Sequence, residues 1–243
     1  MTVKFNKIYQ ESIQNPEKFW QNVSEDIFWF KKPKKILNKS KPPFYKWFED
    51  GVTNTCYNAI DTHIDKGNGD KIALIYDSPI TNNKAKFTYN ELREKISKFA
   101  GALHNQGIKK GDRVIIYMPM IPEAVIAMLA CGRIGAIHSV VFGGFASNEL
   151  ASRIDDSKAK ILITASCGFE PGRTVEYRPL VDGALKLAKH KVEKVIFFQR
   201  KDYEVKLNSP LEISWEESLV NAKDKDCVEI GANEFAYILY TSG

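Results

Sequence analysis

The chain has 243 residues, of which 44% are hydrophobic and 27% charged, proportions that are ordinary for a soluble globular protein. No apolar run reaches the roughly 18 residues that a membrane-spanning helix needs, and the first residues lack the apolar core of a signal peptide. The four cysteines are far apart and form no C-x-x-C pair, which argues against a zinc site or a disulfide framework. We therefore expect a cytoplasmic protein with no membrane partner.

The charge pattern disfavours a nucleic-acid-binding protein. There are 35 lysines and arginines against 30 aspartates and glutamates, for a formal net charge of +5, and the basic residues are scattered. One basic cluster, residues 31–35, lacks interleaved aromatic side chains, and we interpret it as a solvated surface turn. The small excess of positive charge is compatible with phosphorylated ligands.

Residues 1–58 differ in composition from the rest of the chain, being rich in lysine, asparagine, proline and aromatic residues. A helix is predicted to begin there with Asn15 as its cap and Pro16 at its first position. Aromatic side chains in irregular sequence carry much buriable area per residue, so they often anchor an extension onto a larger body. We therefore predict that residues 1–58 form a cap over a main domain beginning at residue 59. The aromatic residues are Trp20, Phe28, Trp29, Phe30, Phe44, Tyr45, Trp47 and Phe48.

Beyond residue 70, predicted strands and helices alternate along the chain. Thr88 and Glu91 form a capping-box pattern, apolar residues follow at helical spacing, and Gly107 is predicted to end that helix. Pro122 is predicted to open a deeply buried helix, and Ser147 to cap the next one. The predicted strands cover residues 72–76, 114–118, 139–142, 160–165, 195–198 and 235–240. The other predicted helices cover residues 179–190 and a short stretch near 215–217.

This alternation predicts the fold class and the region where a ligand binds. Continuous apolar strands between helices indicate an α/β fold, with largely parallel sheet layers flanked by helices. The polar stretch 201–226 is predicted to be an irregular surface excursion. Because ligands of such sheets bind outside the carboxyl ends of the strands, the segments that follow strands are the candidates for a functional site.

Two glycines, Gly143 and Gly144, follow the strand predicted over residues 139–142. Glycines at such a point let the backbone approach a ligand or adopt a positive φ. The helix N-terminus that follows has free N–H groups, which suit an anion. A Gly-Gly pair is also the ordinary composition of a turn, and the spacing alone leaves both interpretations open.

A second candidate follows the strand predicted over residues 160–165, where a Pro-Gly turn precedes Arg173. A guanidinium at this point is able to hold a phosphate in a two-pronged contact. Arg173 is also placed to pair with Glu170 or Glu176 on the surface. The spacing by itself favours the surface pairing.

The third candidate is Thr241, Ser242 and Gly243, after the strand predicted over residues 235–240. Hydroxyl groups and a glycine amide at such a turn are able to cradle phosphate oxygens. Because a domain does not normally end at such a turn, we expect these residues to open a phosphate-binding loop of a longer enzyme. No G-x-x-x-x-G-K-[ST] and no G-x-G-x-x-G pattern occurs, which excludes a Walker loop and disfavours a dinucleotide dehydrogenase.

The side chains that commonly bind metals or act as nucleophiles show no matching arrangement. His63, His104, His138 and His190 share no metal-ligand spacing. Cys167 has no His or Lys nearby to activate it, so we interpret it as an inert, partly buried thiol. We therefore predict no metal ligand in these 243 residues and no nucleophilic role for Cys167.

Several segments resemble the acyl-CoA synthetases of the adenylate-forming superfamily. Residues 237–243, Tyr-Ile-Leu-Tyr-Thr-Ser-Gly, are similar to the opening of the signature loop that grips ATP phosphates, and Gly-Asp-Arg-Val at 111–114 also matches. Residues 130–145 match the short-chain branch, and residues 44–48 and 54–58 resemble its N-terminal cap. The resemblance extends over essentially the whole chain and implies the N-terminal portion of the adenylate-forming fold.

Within that branch the chain resembles propionate–CoA ligases more than acetate–CoA ligases, at residues 76–79 and 166–173. In the acetate enzymes a further arginine usually stands at the position of Glu170, and both arginines help to hold the 3′-phosphate and adenine of CoA. In this chain only one of the two arginines, Arg173, is present. Gly144 matches a glycine that approaches the CoA nucleotide. The resemblance thus implies CoA contacts at Gly144 and Arg173, and ATP phosphate contacts at Thr241, Ser242 and Gly243.

The implied reaction uses ATP, CoA, Mg²⁺ and a small carboxylate, with propionate favoured. The carboxylate attacks the α-phosphate of ATP to give an acyl-adenylate and pyrophosphate, and the CoA thiol then attacks the adenylate and releases AMP. The resemblance implies that the acyl pocket and a mobile domain with the catalytic lysine lie beyond Gly243, so we expect these 243 residues to be inactive alone. Two alternatives stay open: an acetate–CoA ligase, and a complete non-catalytic module that binds CoA or a nucleotide.

Overall fold

The structure is a computed structural model that describes residues 3–241. Its helices are α1 (Val3–Gln14), α2 (Pro16–Val23), α3 (Thr62–Asp65), α4 (Tyr89–Asn105), α5 (Pro122–Arg133), α6 (Ser147–Ser157), α7 (Tyr177–Leu187) and α8 (Trp215–Leu219). Its strands are β1 (Leu37–Asn38), β2 (Lys46–Trp47), β3 (Val52–Thr53), β4 (Ile72–Ser78), β5 (Asn83–Thr88), β6 (Arg113–Met118), β7 (Ile137–Phe142), β8 (Ile161–Ala165), β9 (Cys167–Glu170), β10 (Arg173–Glu176), β11 (Lys194–Phe198), β12 (Glu212–Ser214), β13 (Ile230–Gly231) and β14 (Tyr237–Ile238). A 3-10 turn, Ser24–Asp26, follows α2, and a π-helical turn, Tyr57–Asp61, leads into α3.

Six parallel strands form the central sheet, in the order β12–β11–β8–β6–β7–β14. At its middle, Ile116 lies beside Val140 on one side and Ile163 on the other. All of β8 and most of β6 are buried, because helices cover both faces of the sheet. The predicted α/β fold with a parallel sheet flanked by helices is confirmed.

The helices form two layers, with α4, α5 and α8 in contact on one face and α6 against α7 on the other. The connection through α5 carries the chain from β6 to β7, and the connection through α6 carries it back across β6 to β8. Because crossovers between parallel strands are right-handed, this reversal sends α5 and α6 to opposite faces. The loops after β6 and β7 therefore leave the sheet in opposite directions and open a crevice at its carboxyl edge.

Three hairpins lie outside the central sheet among the described residues. β1 pairs antiparallel with β2, β4 with β5, and β9 with β10. The strand predicted over residues 72–76 is therefore present, but in a hairpin of its own. The apolar pattern does not predict β5 or β10, because their residues are mostly polar or only partly buried.

The structure confirms some of the predicted boundaries and corrects others. Both hydrogen bonds of the capping box between Thr88 and Glu91 are formed. Ser147, however, is the first residue of α6 and not its cap, since its hydroxyl donates to the carbonyl of Leu180 at 2.9 Å. The last strand is shorter than predicted, and the polar stretch after residue 201 contains β12, an edge strand of the sheet.

The N-terminal segment is attached to the main body by its second half. The side-chain amide of Asn54 donates to the carbonyls of Gly132 and Val228, at 2.9 Å each, and β3 pairs with β13. Between residues 5 and 23, by contrast, no side chain is buried. Among the helices described within residues 3–241, none has both the length and the apolar character of a membrane span.

Candidate functional site

A cavity of about 520 Å³ opens at the carboxyl edge of the central sheet. It lies where the loops after β6 and β7 leave in opposite directions, and the β9–β10 hairpin forms one of its walls. Leu239, which follows β14, also lines it, so the cavity reaches the segment that leads to the last residues of the chain. Other lining residues are Met118, Phe142, Gly143, Phe169, Glu170, Tyr177 and Arg200.

The floor of the cavity is packed around the hydroxyl of Tyr177. A Cβ atom at Gly143 would collide with this hydroxyl and lie 2.8 Å from the carbonyl oxygen of Met118. A Cβ atom at Gly168 would lie 2.7 Å from the same hydroxyl. Glycine is therefore required at both positions by packing. Burial raises the pKa of Tyr177, so its phenol is neutral.

Gly144 has a φ of +98°, a conformation that favours glycine. Its N–H donates to the hydroxyl of Tyr117 at 3.2 Å, and that hydroxyl donates to the carbonyl of Phe145 at 2.7 Å. A Cβ atom at Gly144 would contact only Val175 Cγ1, at 3.9 Å. Because its amide is engaged by Tyr117, a ligand contact at Gly144 would depend on the absence of a side chain rather than on a free N–H.

Arg173 begins β10, directly after the hairpin turn, and its side chain is 71% exposed. Its Nε and Nη2 lie 2.7 Å and 2.6 Å from Oε2 of Glu170, so the surface pairing that the spacing favours is formed with Glu170 and not with Glu176. Val175 lies two residues further on and faces Gly144. Val175 lines the cavity, whereas Arg173 and Gly144 do not; both belong to segments that border it, the β9–β10 hairpin and the Gly143–Gly144 turn.

Arg200 lines the cavity as well, and the sequence patterns did not point to it. It is 9% exposed, and its guanidinium lies 4.8 Å from the ring centre of Phe169. Among the described residues, no carboxylate forms an ion pair with it. A buried cation without an acidic partner is costly, so Arg200 is a candidate for binding an anion. Its position directly after β11, at the carboxyl edge, is the only signal in the sequence that could have found it.

The segment that leads to the third predicted group, Thr241, Ser242 and Gly243, follows β14 at the end of the central sheet's strand order. β14 runs parallel to β7, which brings the exposed Thr241 towards the carboxyl edge where Gly144 lies. Ser242 and Gly243 lie outside the described residues. The structure therefore locates the approach to the predicted phosphate loop, up to Thr241.

Tyr240 anchors this approach to α6. The guanidinium of Arg153 lies 4.8 Å from the centre of its ring, and its hydroxyl donates to the carboxylate of Asp156. Burial and this hydrogen bond raise the pKa of Tyr240 to about 12. Tyr240 is thus held by a cation–π contact and a hydrogen bond, and this limits where Thr241 can lie.

His138 lies between β6 and β14 in the sheet, where its ring stacks on Tyr237 at 5.8 Å. Burial lowers its pKa to about 4, and its Nδ1 has no hydrogen-bond partner among the described residues. A neutral ring in this environment serves packing.

One group of possible metal ligands occurs among the described residues, at the opposite end of α5 from the cavity. It consists of Cys56, Asp61 and Cys227. The guanidinium of Arg133 lies among them, with Nη1 2.8 Å from Asp61 Oδ2 and 3.1 Å from Cys227 Sγ. A metal cation at this point would be repelled by the guanidinium, so the group is unfavourable for a metal ion.

Two protein-family models match the chain. The model described as AMP-binding enzyme matches residues 61–243. The model described as Acetyl-coenzyme A synthetase N-terminus matches residues 5–59. Together they extend over nearly all of the chain.

Similar proteins are known from several organisms. Acyl-CoA synthetase short-chain family member 3, mitochondrial, from Homo sapiens is 53% identical over 236 residues, which are 97% of this chain and 34% of the relative. Acetyl-coenzyme A synthetase from Xylella fastidiosa is 42% identical over 98% of this chain and 38% of the relative. The solved structure of acetoacetyl-CoA synthetase from Streptomyces lividans has the same fold, with a TM-score of 0.85 at 23% identity, over 96% of this chain and 35% of that one. The chain therefore spans about a third of the length of these relatives.

Proposed function

The chain belongs to the AMP-binding enzyme family, and we propose that the full-length protein joins a short-chain carboxylate to CoA, converting ATP to AMP and pyrophosphate. One observation carries this proposal: a single cavity is bordered by the Gly143–Gly144 turn, the Arg173 hairpin and the segment that leads to Thr241. These segments contain or lead to the positions at which the resemblance implies CoA and ATP contacts. The names of the human and Xylella fastidiosa relatives, both CoA synthetases, support the same reaction class.

The CoA nucleotide is proposed to bind against Gly144 and Arg173. The absence of a side chain at Gly144 leaves room for a nucleotide to approach the turn. Arg173 is exposed and able to offer two N–H groups to a phosphate once it releases Glu170. Arg200, buried and without an acidic partner among the described residues, is proposed to hold a second anionic or carbonyl group of CoA deeper in the cavity.

The ATP phosphates are proposed to bind to Thr241, Ser242 and Gly243, through hydroxyl groups and a backbone amide. The stacked and hydrogen-bonded Tyr240 would fix the start of this loop. Mg²⁺, when bound, neutralises phosphate charge in the first step, and we propose no residue between 5 and 241 as its ligand. We likewise propose no catalytic residue in this range.

We propose that residues 1–58 form the cap and that residues 59–243 begin the AMP-binding domain. The ranges of the two family models, 5–59 and 61–243, support this boundary. The proposed partners are small molecules, with no nucleic acid or membrane among them. A cytoplasmic location stays a prediction, and the human relative is named mitochondrial.

Propionate is the proposed substrate, on the strength of the resemblance at residues 76–79 and 166–173. The test is to incubate the full-length protein with ATP, Mg²⁺, CoA and either propionate or acetate, and to measure AMP and pyrophosphate. We expect a higher kcat/KM for propionate, by about 10-fold or more, since one methylene contributes ~1–3 kcal/mol to discrimination. Equal values for the two acids would favour the acetate–CoA ligase instead.

The remaining alternative is a non-catalytic module that binds CoA or a nucleotide. It predicts CoA binding by the full-length protein with no AMP formed from either acid. The ligase proposal predicts AMP formation by the full-length protein and none by residues 1–243 alone. Propionate-dependent AMP formation by the 243-residue chain would contradict the second expectation.

A further inference from the structure

Two of the four cysteines meet in a buried cluster far from the proposed site. The sulfurs of Cys56 and Cys227 and a carboxylate oxygen of Asp61 all lie within 4.8 Å of one another. Cys56 is fully buried, and Cys227 is partly exposed. Arg133, which is 3% exposed, donates from Nη1 to Cys227 Sγ at 3.1 Å and lies 3.6 Å from Cys56 Sγ. The result is a dithiol next to a fixed positive charge.

The backbone on each side of this dithiol is held by hydrogen bonds. The side-chain oxygen of Asn54 accepts from the N–H of Cys56 at 2.8 Å, and its amide donates to the carbonyl of Val228. The N–H of Val228 donates to the carbonyl of Arg133 at 2.9 Å. The segments that carry the two cysteines are therefore fixed to each other and to the end of α5, which keeps the sulfurs within 4.8 Å of each other.

The charges around the sulfurs favour one thiolate. The contact with Cys227, together with the charge of Arg133 and its hydrogen bond, holds the pKa of Cys56 below its usual value, while the same contact and burial raise the pKa of Cys227. Arg133 is also paired with Asp61 through two hydrogen bonds, of 2.8 Å and 3.0 Å. That pairing disfavours a metal ion at the cluster and leaves covalent chemistry of the sulfurs.

A cavity of about 550 Å³ reaches two residues that contact the sulfurs, and Cys227 itself is partly exposed. The cavity is lined by Asp61 and Arg133, which contact the sulfurs, and by Asp224 and by Asp226, the residue before Cys227. A small neutral oxidant such as hydrogen peroxide is not repelled by these carboxylates.

We propose that Cys56 and Cys227 are a thiol modification site, at which peroxide forms a disulfide that links the N-terminal segment to the loop before β13. Peroxide first oxidises Cys227, the partly exposed sulfur, as its thiol proton passes towards Asp61 Oδ2, which lies 3.7 Å from Sγ: an S–O bond forms, the O–O bond breaks, and water leaves. The Cys56 thiolate then attacks the sulfur of Cys227, so that the S–S bond forms and the S–O bond breaks. The released hydroxide takes up the remaining proton. Two thiols and one peroxide thus give one disulfide and two waters.

The test is to treat the folded full-length protein with hydrogen peroxide, block free thiols with iodoacetamide and map the peptides by mass spectrometry. We expect a peptide pair joined through Cys56 and Cys227, which disappears after reduction with dithiothreitol. Cys131 and Cys167, both buried elsewhere, are expected to be alkylated only after unfolding. The same treatment in concentrated urea should reduce the yield of the specific pair several-fold, because only the fold holds the two sulfurs together.

Two variants make the outcome decisive. Cys227→Ser should leave Cys56 reduced under the same treatment, and Cys131→Ser, the matched control in another part of the core, should leave the cross-link unchanged. If Cys56 and Cys227 both remain free thiols in the oxidised folded protein, the proposal is wrong. It is equally wrong if Cys227 is oxidised but joins another cysteine, or if the yield of the pair is the same in urea.

Discussion

Arg173 and Glu170 face each other across a two-residue turn, and two guanidinium nitrogens of Arg173 lie 2.7 Å and 2.6 Å from one carboxylate oxygen of Glu170. The side chain of Arg173 is 71% exposed and that of Glu170 is 43% exposed. If Arg173 binds a phosphate of CoA, as proposed above, that phosphate must compete with Glu170. The residue at position 170 would then tune the affinity for CoA.

Replacing Glu170 with glutamine should therefore lower the KM for CoA, by up to about five-fold, since exposed ion pairs are worth ~0.2–1 kcal/mol. The KM values for ATP and the carboxylate should not change. Steady-state kinetics of the full-length protein measures all three. Glu176→Gln is the matched control, because it removes the same charge from the same hairpin without contacting Arg173. Equal effects of the two variants would show a long-range charge effect and contradict competition for Arg173.

Replacing Arg200 with methionine should raise the KM for CoA by about 10-fold or more, because hydrogen bonds to charged groups contribute ~1.5–3 kcal/mol. Arg200→Lys keeps the charge but loses the planar guanidinium, so its KM should lie between those of the methionine variant and the wild type. Lys201→Met, one residue away, is the control for loss of a positive charge and should leave the KM near that of the wild type. An unchanged KM in Arg200→Met would remove Arg200 from the proposed CoA site.

Replacing Asp61 with asparagine should destabilise the fold by ~3–5 kcal/mol, because it leaves the buried Arg133 without its charged partner. Urea unfolding of the full-length protein, followed by tryptophan fluorescence, measures the change in midpoint. The control is Glu149→Gln, which removes the exposed carboxylate of the pair with Arg153 and should cost less than about 1 kcal/mol. Similar midpoints for the two variants would contradict the structural importance of the buried pair.

The burial of His138 predicts a pH dependence of stability. Its pKa is about 4 in the folded state and about 6.5 in an unfolded chain, so between these values the unfolded state binds the extra proton. Stability should therefore fall as the pH drops from 6.5 towards 4, by ~2 kcal/mol at pH 5. His138→Phe retains a ring against Tyr237 and should lose this part of the dependence.

The measurement for His138 is the difference in urea midpoint between pH 7 and pH 5, compared between the wild-type and variant full-length proteins. Carboxylates titrate equally in both and cancel in the comparison. A variant with the same pH dependence as the wild type would show that His138 does not titrate with a lowered pKa.

The sequence predicts the positions of those helices and strands that depend on residues near one another in the chain. The capping box of Thr88 and Glu91, the buried strand near residues 114–118 and the helix that opens at Pro122 all lie where the pattern predicts them. The physical reason is that capping hydrogen bonds join residues three apart, and that apolar periodicity marks which face of an element is buried. The candidate positions Gly144, Arg173 and Thr241 were recognisable for a similar reason, since each follows a strand or a turn.

Features that depend on contacts between distant segments had no local signal. The ion pair of Arg133 and Asp61, the dithiol of Cys56 and Cys227, and the edge strand β12 join parts of the chain that only folding brings together. Arg200 becomes a candidate for ligand binding only because folding places it against the ring of Phe169 and in the wall of the cavity. The sequence by itself therefore determines where the helices and buried strands of this chain form, through short-range hydrogen bonds and apolar periodicity. Only the tertiary structure decides which charges, thiols and strands pair, because the free energy of these pairings comes from groups far apart in the sequence.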